Sequence, residues 1–196
     1  MNLSPIGIQF IKQWEGLRLA PYDDGYGTAT IGYGHAIKKG ESFGQITPAQ
    51  AEQILQNDLS YFVNQVNSLV SVPLTQPQFD AAVSLAFNWG GFSQSQFLQL
   101  LNAGNYTAAA DRLGQWPVTS GGVYSPGLAN RRAAEKALFL SDGISPGAPA
   151  IEQSPNDSAN LDFISQLPNF PANPPSLAIG AILILAFGAF FLLSDD

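Results

Sequence analysis

The sequence predicts an α+β domain over residues 1–140, two-lobed, with a small antiparallel sheet in one lobe and helices in the other. Three observations lead there. Residues 19–46 are rich in Gly, Tyr and Thr, with turn signals at Asp24-Gly25 and Lys39-Gly40, the pattern of short paired strands. Apolar residues then recur at helical spacing behind N-caps at Thr47 and Thr75. After residue 140 the composition turns to Pro, Ser, Asn, Gly and Ala, which cannot bury a core.

The first helix is expected to begin at Ser4, a good N-cap, with Pro5 in the first helical position, where a missing N–H costs nothing. Ile6, Phe10, Ile11 and Trp14 follow at helical spacing, and Gly16 is the natural stop, so Glu15 falls in the last turn. Thr47-Pro48-Ala49-Gln50 is a capping box that opens a long helix. Its apolar stripe runs Ile54, Leu55, Leu59, Phe62, Val63, Val66 and Val70. The next helix carries Phe79, Ala82, Val83, Ala86 and Phe87 and stops at Trp89-Gly90-Gly91. Shorter helices are expected over 94–102, 106–113 and 128–140. The long helix would join the two lobes and leave a cleft between them, where ligands usually bind.

Residues 141–176 read as a flexible acidic linker, whose 36 residues would span roughly 35 Å as a coil. Residues 177–193 are 17 consecutive uncharged, mostly apolar positions. As a helix they reach about 26 Å, the short end of what crosses a bilayer. One transmembrane helix is therefore expected there, with lipid as its partner. No Lys or Arg flanks it to orient it.

Composition excludes several functions. There is no Cys and only one His, so neither a thiolate nor a multi-His metal centre is available, and no cofactor is implied. The net charge is −7, yet all eight basic residues lie at or before Lys136. Residues 1–140 hold nine acidic residues against those eight, so that part is almost neutral. Nucleic acid is an unsuitable partner, since phosphate binding needs clustered Lys and Arg. The stretch Met1-Asn2-Leu3-Ser4-Pro5 has no basic n-region or apolar core of a secretory signal.

Hydrolysis must then run on carboxylates, and Glu15, Asp24 and Thr30 supply the parts. Breaking a β-1,4-glycosidic bond needs a proton donor at the leaving oxygen and an activated water or nucleophile opposite. Glu15 suits the donor role, because the negative end of a helix dipole and burial both raise a carboxyl pKa. Asp24 offers a better-solvated carboxylate, and Thr30 a hydroxyl to position water. Asp23 would need a one-residue shift that turns its side chain away. Singly, each has a plainer reading as a helix-end acid or a turn residue.

The Glu-x8-Asp-x5-Thr spacing, followed by Ile31-Gly32-Tyr33-Gly34-His35, resembles the phage-type lysozymes (endolysins, glycoside hydrolase family 24). Phe87-Asn88-Trp89-Gly90, Phe92-x-x-Ser95 and the run from Gly127 to Glu135 look like that family's helical lobe, so the likeness covers nearly all of residues 5–140. The resemblance implies a lysozyme-like domain with Glu15 as general acid and Asp24 and Thr30 orienting the water. It implies Phe87, Asn88 and Ser95 facing the saccharide and Ala36 at the lip beside His35, with core packing and capping as the alternative for these residues. In better-known relatives a larger residue than Ala follows the His. By the same resemblance His35 pairs with a carboxylate and holds the lobes together, and Arg18 braces the site electrostatically. Arg131 and Arg132 are expected on a solvated helix face or against muropeptide carboxylates.

The function so implied is a membrane-tethered muramidase acting on bacterial peptidoglycan. A lytic transglycosylase, which can dispense with the Asp–Thr pair, and an inactive wall-binding virion module are the competing readings. The virion membrane of a membrane-containing phage is the favoured location, with other virion membrane proteins as partners, and the host inner membrane is second.

Overall fold

Ser4, Thr47 and Thr75 each start a helix in the computed structural model, which describes residues 1–142 apart from 26, 116–118 and 121–122. Helix α1 runs Pro5–Glu15, with the Gly7 N–H of its first turn donating to Ser4 Oγ at 3.0 Å. Gly16 ends it at φ 66°, a conformation that favours glycine. Helices α2 (Pro48–Leu69) and α3 (Gln76–Asn88) both open with complete capping boxes, Gln50 and Gln78 reaching back to the cap N–H.

Between α1 and α2 lies an antiparallel sheet of β1 (Arg18–Asp23), β2 (Ala29–Gly32) and β3 (His35–Ala36), in that order. Tyr22 pairs with Thr30, and Thr30 in turn with Ala36, so Thr30 lies on the central strand. A bulge interrupts the β1–β2 pairing between Arg18 and Tyr22.

Helices α4 (Gln96–Asn102), α5 (Tyr106–Gly114) and α6 (Pro126–Leu140) complete the larger part. Two starts differ from expectation for local reasons. A single 3-10 turn over Phe92–Gln94 precedes α4, whose N-cap is Ser95, bonded to the Leu98 N–H. Helix α6 starts two residues early, because Ser125 caps it with Pro126 in the first position. A two-residue hairpin, β4 (Thr119–Ser120) and β5 (Val123–Tyr124), was not legible in the sequence.

The core is in two pieces, and α2 serves both. Its N-terminal Ala51 packs with Ile31 and Ile46 under the sheet. Farther along, Leu55, Leu59, Phe62 and Val66 join Phe10, Phe79, Phe97 and Phe139 in the helical core. Helix α3 is the axis of that core, buried at every residue from 78 to 88. Such all-round burial is what a helix needs to hold polar side chains away from water. The N-terminus of α1 is pinned to α3 by Asp80, which accepts from Ser4 N at 3.1 Å, from Ser4 Oγ, and from Gln76 Nε2 at 2.8 Å.

Among the described residues no helix is long and apolar enough to cross a membrane. The expected span at 177–193 and all but the start of the linker lie outside them.

Candidate active site

Glu15 is the last residue of α1, and its side chain is 1 % exposed. Arg131 Nη1, from α6, donates to Glu15 Oε1 at 2.6 Å. Oε2 faces the turn between β2 and β3, where a Cβ on Gly34 would lie 3.9 Å away. Gly34 has φ 90°, so that turn presents bare backbone to the acid. Burial pushes the Glu15 carboxyl above its ordinary value; Arg131 opposes this, but burial outweighs it. The carbonyl end of α1 acts in the same direction as burial.

Asp24 follows β1 and closes the turn into β2. Its N–H donates to Thr28 O at 3.2 Å, while its Oδ1 accepts from Thr28 N at 3.1 Å. Thr30 is fully buried, with Oγ1 donating to Thr28 O at 3.4 Å. Asp24 and Thr30 thus both lean on the Thr28 backbone, Asp24 at its N–H and C=O and Thr30 at its C=O. Asp23, by contrast, is exposed and bonds the Gly25 N–H at 2.7 Å.

Tyr22 of β1 is half-buried and feels both carboxylates. Burial raises its phenol first, Arg18 draws it back, and Asp24 and Glu15 push it up further. The Arg18 guanidinium lies 5.8 Å from the Tyr22 ring centroid. Arg18 therefore meets the site through an aromatic face.

His35, on β3, is buried between two carboxylates. Nδ1 lies 2.9 Å from Asp58 Oδ2 of α2, and Nε2 lies 3.0 Å from Glu41 Oε2. The His35 imidazole is held above its usual range, chiefly by the Asp58 hydrogen bond. One ring thus ties the sheet to α2 and to the segment before it.

Of the remaining sequence-predicted residues, three are buried and Ala36 is half-buried. Phe87 is 2 % exposed and meets Phe62 edge-on at 5.3 Å between centroids. Asn88 is buried, with Oδ1 accepting from Arg132 Nη2. Ser95 is the buried cap of α4. Ala36 is half-buried beside Thr30 on the edge strand.

The arginines overturn the expectation of a solvated helix face. Arg131 is 0 % exposed and Arg132 2 %. They are buried because partners surround them. Arg131 Nε donates to Glu135 Oε1 at 3.2 Å, Arg132 Nη1 lies 2.6 Å from Glu135 Oε2, and Ser84 Oγ donates to Glu135 Oε1 at 2.7 Å. Sequence reasoning missed Glu135 and Ser84. The signal was available: Glu135 stands three and four residues after the two arginines, amid Ala133, Ala134, Leu138 and Phe139.

Among the described residues no group of His, Asp and Glu is arranged to hold a metal ion. What the site offers is a buried acid, a carboxylate turn and a hydroxyl on adjoining elements.

That arrangement on an α+β scaffold is the kind used by carboxyl-dependent hydrolases, and residues 12–135 match the Phage lysozyme family model. The chain belongs to the phage lysozyme family, and the matched region is a lysozyme-type hydrolase domain. The endolysin of Salmonella phage P22 is 42 % identical over 147 residues, covering 72 % of this chain and 99 % of that protein. The endolysins of Bacillus phages B103 and PZA are 42 % and 43 % identical, and the chain spans only 55 % and 56 % of their length. The solved endolysin from Escherichia coli O157:H7 phage FAHEc1 superposes with a TM-score of 0.65 at 40 % identity, over 72 % of this chain and 95 % of that one.

Proposed function

We propose that this chain is a muramidase that hydrolyses the β-1,4 bond between N-acetylmuramic acid and N-acetylglucosamine in bacterial peptidoglycan. The observation that carries the reading is the state of Glu15: buried, raised in pKa, and at a helix end with Oε2 facing the Gly34 turn of the sheet. A carboxyl with a raised pKa holds its proton to higher pH than a solvated one and can give it to the glycosidic oxygen as the bond to the anomeric carbon breaks. Asp24 and Thr30 hold the water that adds to that carbon, and the Asp24 carboxylate takes the proton the water gives up. The rate then falls as pH rises through the raised Glu15 value.

Zymography on cell walls tests this. Glu15→Gln should clear walls at least ~100-fold more slowly than the wild type; undiminished clearing rejects Glu15 as the acid. Mass spectrometry of the products separates hydrolysis, which leaves reducing muramic ends, from a transglycosylase, which leaves anhydro ends.

The second part of the proposal is a membrane tether at residues 177–193, supported by their unbroken apolar run behind a linker that reaches roughly 35 Å. The enzyme then works on wall close to its own bilayer, in phage entry or in host lysis. The full chain should partition with phospholipid vesicles, and a chain ending at residue 176 should not. Antibody detection in purified particles against infected-cell membranes tells entry from lysis.

A further inference from the structure

Four charged groups stand in a buried row: Glu15, Arg131, Glu135 and Arg132. Arg131 is divided between two carboxylates, with Nη1 on Glu15 at 2.6 Å and Nε on Glu135 at 3.2 Å. Arg132 Nη1 is held by Glu135 Oε2 at 2.6 Å, and its Nη2 by Asn88. When Glu15 carries a proton, the row holds two cations and a single anion. Without Glu135 the acid would face two uncompensated guanidinium groups, and they would draw its proton off.

We propose that Glu135 is the positioning residue of the acid: it shares Arg131, neutralises Arg132, and so lets Glu15 hold the proton it must deliver. The inference rests on the reading of Glu15 as general acid. Ser84 fixes the arrangement, its Oγ donating to Glu135 Oε1 while it also lies 3.3 Å from Arg131 Nη2. The remaining groups toward Glu15 come from β1, where the Tyr22 phenol interacts with it and with Arg18 and Asp24. Lys12, one turn back on α1, is taken up by Glu52 of α2. Electrostatically, Glu135 pushes the Glu15 carboxyl up, while Arg131 and Arg132 pull it down. Burial lowers Arg132 itself only to about 10, so it stays charged at neutral pH.

Glu135 and Arg132, the two members of the row beyond Arg131, therefore act in opposite directions on Glu15, and that gives the test. The full-length chain is assayed for wall clearing across pH, and the Glu15 carboxyl is titrated by carbon-13 NMR. Glu135→Gln should move the alkaline limb to lower pH, seen as about a tenfold rate loss above the wild-type midpoint and under about threefold below it. Arg132→Gln should move the limb to higher pH. Glu135→Asp keeps the charge and should leave the limb in place even if the maximal rate falls.

The double variant Glu135→Gln/Arg132→Gln removes one charge of each sign and should titrate near the wild type. It also serves if either single variant fails to fold, because a displaced double-variant limb overturns the inference. So does a Glu15 titration that Glu135→Gln leaves unmoved, or two single variants that shift in the same direction. Wall clearing by Glu15→Gln would remove the acid reading alone, and the NMR titrations would still decide the coupling to Glu135.

Discussion

His35 Nδ1 sits 2.9 Å from Asp58 Oδ2, so the edge strand of the sheet is bonded directly to the helix that serves both cores. The pair makes stability depend on pH. The folded His35 pKa is raised, with the Asp58 hydrogen bond as the largest cause and burial working against it. A raised value means that the stabilisation is complete below the unfolded value near 6.5 and is lost as pH rises through the folded one. Glu41 runs the other way. The Lys38 N–H and then His35 depress it, so its contribution is present above 4.5 and fades as pH falls through its folded value. The cluster is strongest between those unfolded values. Asp58→Asn should cost roughly 1.5–3 kcal/mol at pH 5.5 and under about 1 kcal/mol at pH 9, by urea unfolding. Equal losses at both pH values would reject the pairing as the cause.

Gly7 reverses a common rule. In a helix interior Gly→Ala usually stabilises by about 1 kcal/mol. Here a Cβ would stand 2.7 Å from Asp80 Cγ and 2.9 Å from both Asp80 Oδ1 and Leu3 Cδ1. Asp80 is fixed by Ser4 and Gln76, so α1 itself would have to shift off α3. Gly7→Ala is expected to destabilise by about 1–3 kcal/mol in thermal unfolding. Ser4→Ala, which removes the cap and an Asp80 partner together, should cost about 1–2 kcal/mol.

These contrasts mark what a sequence can carry. Ser4-Pro5, the Thr47 box and the Thr75 cap were legible because each is completed within four residues, and all three begin helices as expected. The small antiparallel sheet was legible from its Gly, Tyr and Thr content and the Asp24-Gly25 turn, whereas Lys39-Gly40 turns after β3 and not between strands. Arg131 was not legible, because its burial depends on Glu15, 116 positions away, and Ser84, 47 away. Each partner alone looks like a surface residue, and only the fold brings their charges to cancel. The β4–β5 hairpin failed differently, since two-residue strands leave no alternation to detect.

The β1–β2 turn separates two adjacent acids. Asp24 is bonded to both sides of Thr28, whereas Asp23 is exposed and accepts from the Gly25 N–H. If Asp24 holds the attacking water, Asp24→Asn should lower wall clearing by ~100-fold or more with little change in stability. Asp23→Asn should change clearing by less than about threefold. The reverse order would move the water-binding role one residue along the strand.

Phe87 decides between packing and saccharide contact. Its ring is 2 % exposed and wedged edge-on against Phe62 of α2, inside the core that α3 threads. Truncation there removes buried area and leaves a cavity, so Phe87→Ala should cost about 3–5 kcal/mol. Phe87→Leu keeps most of the volume and should cost under about 1.5 kcal/mol. Assayed well below its melting temperature, the Leu variant should keep the wild-type KM for solubilised wall fragments, because the lost atoms face Phe62. A KM raised severalfold with an unchanged melting temperature would instead put the ring against the glycan, and the α2–α3 packing would have to open to admit it.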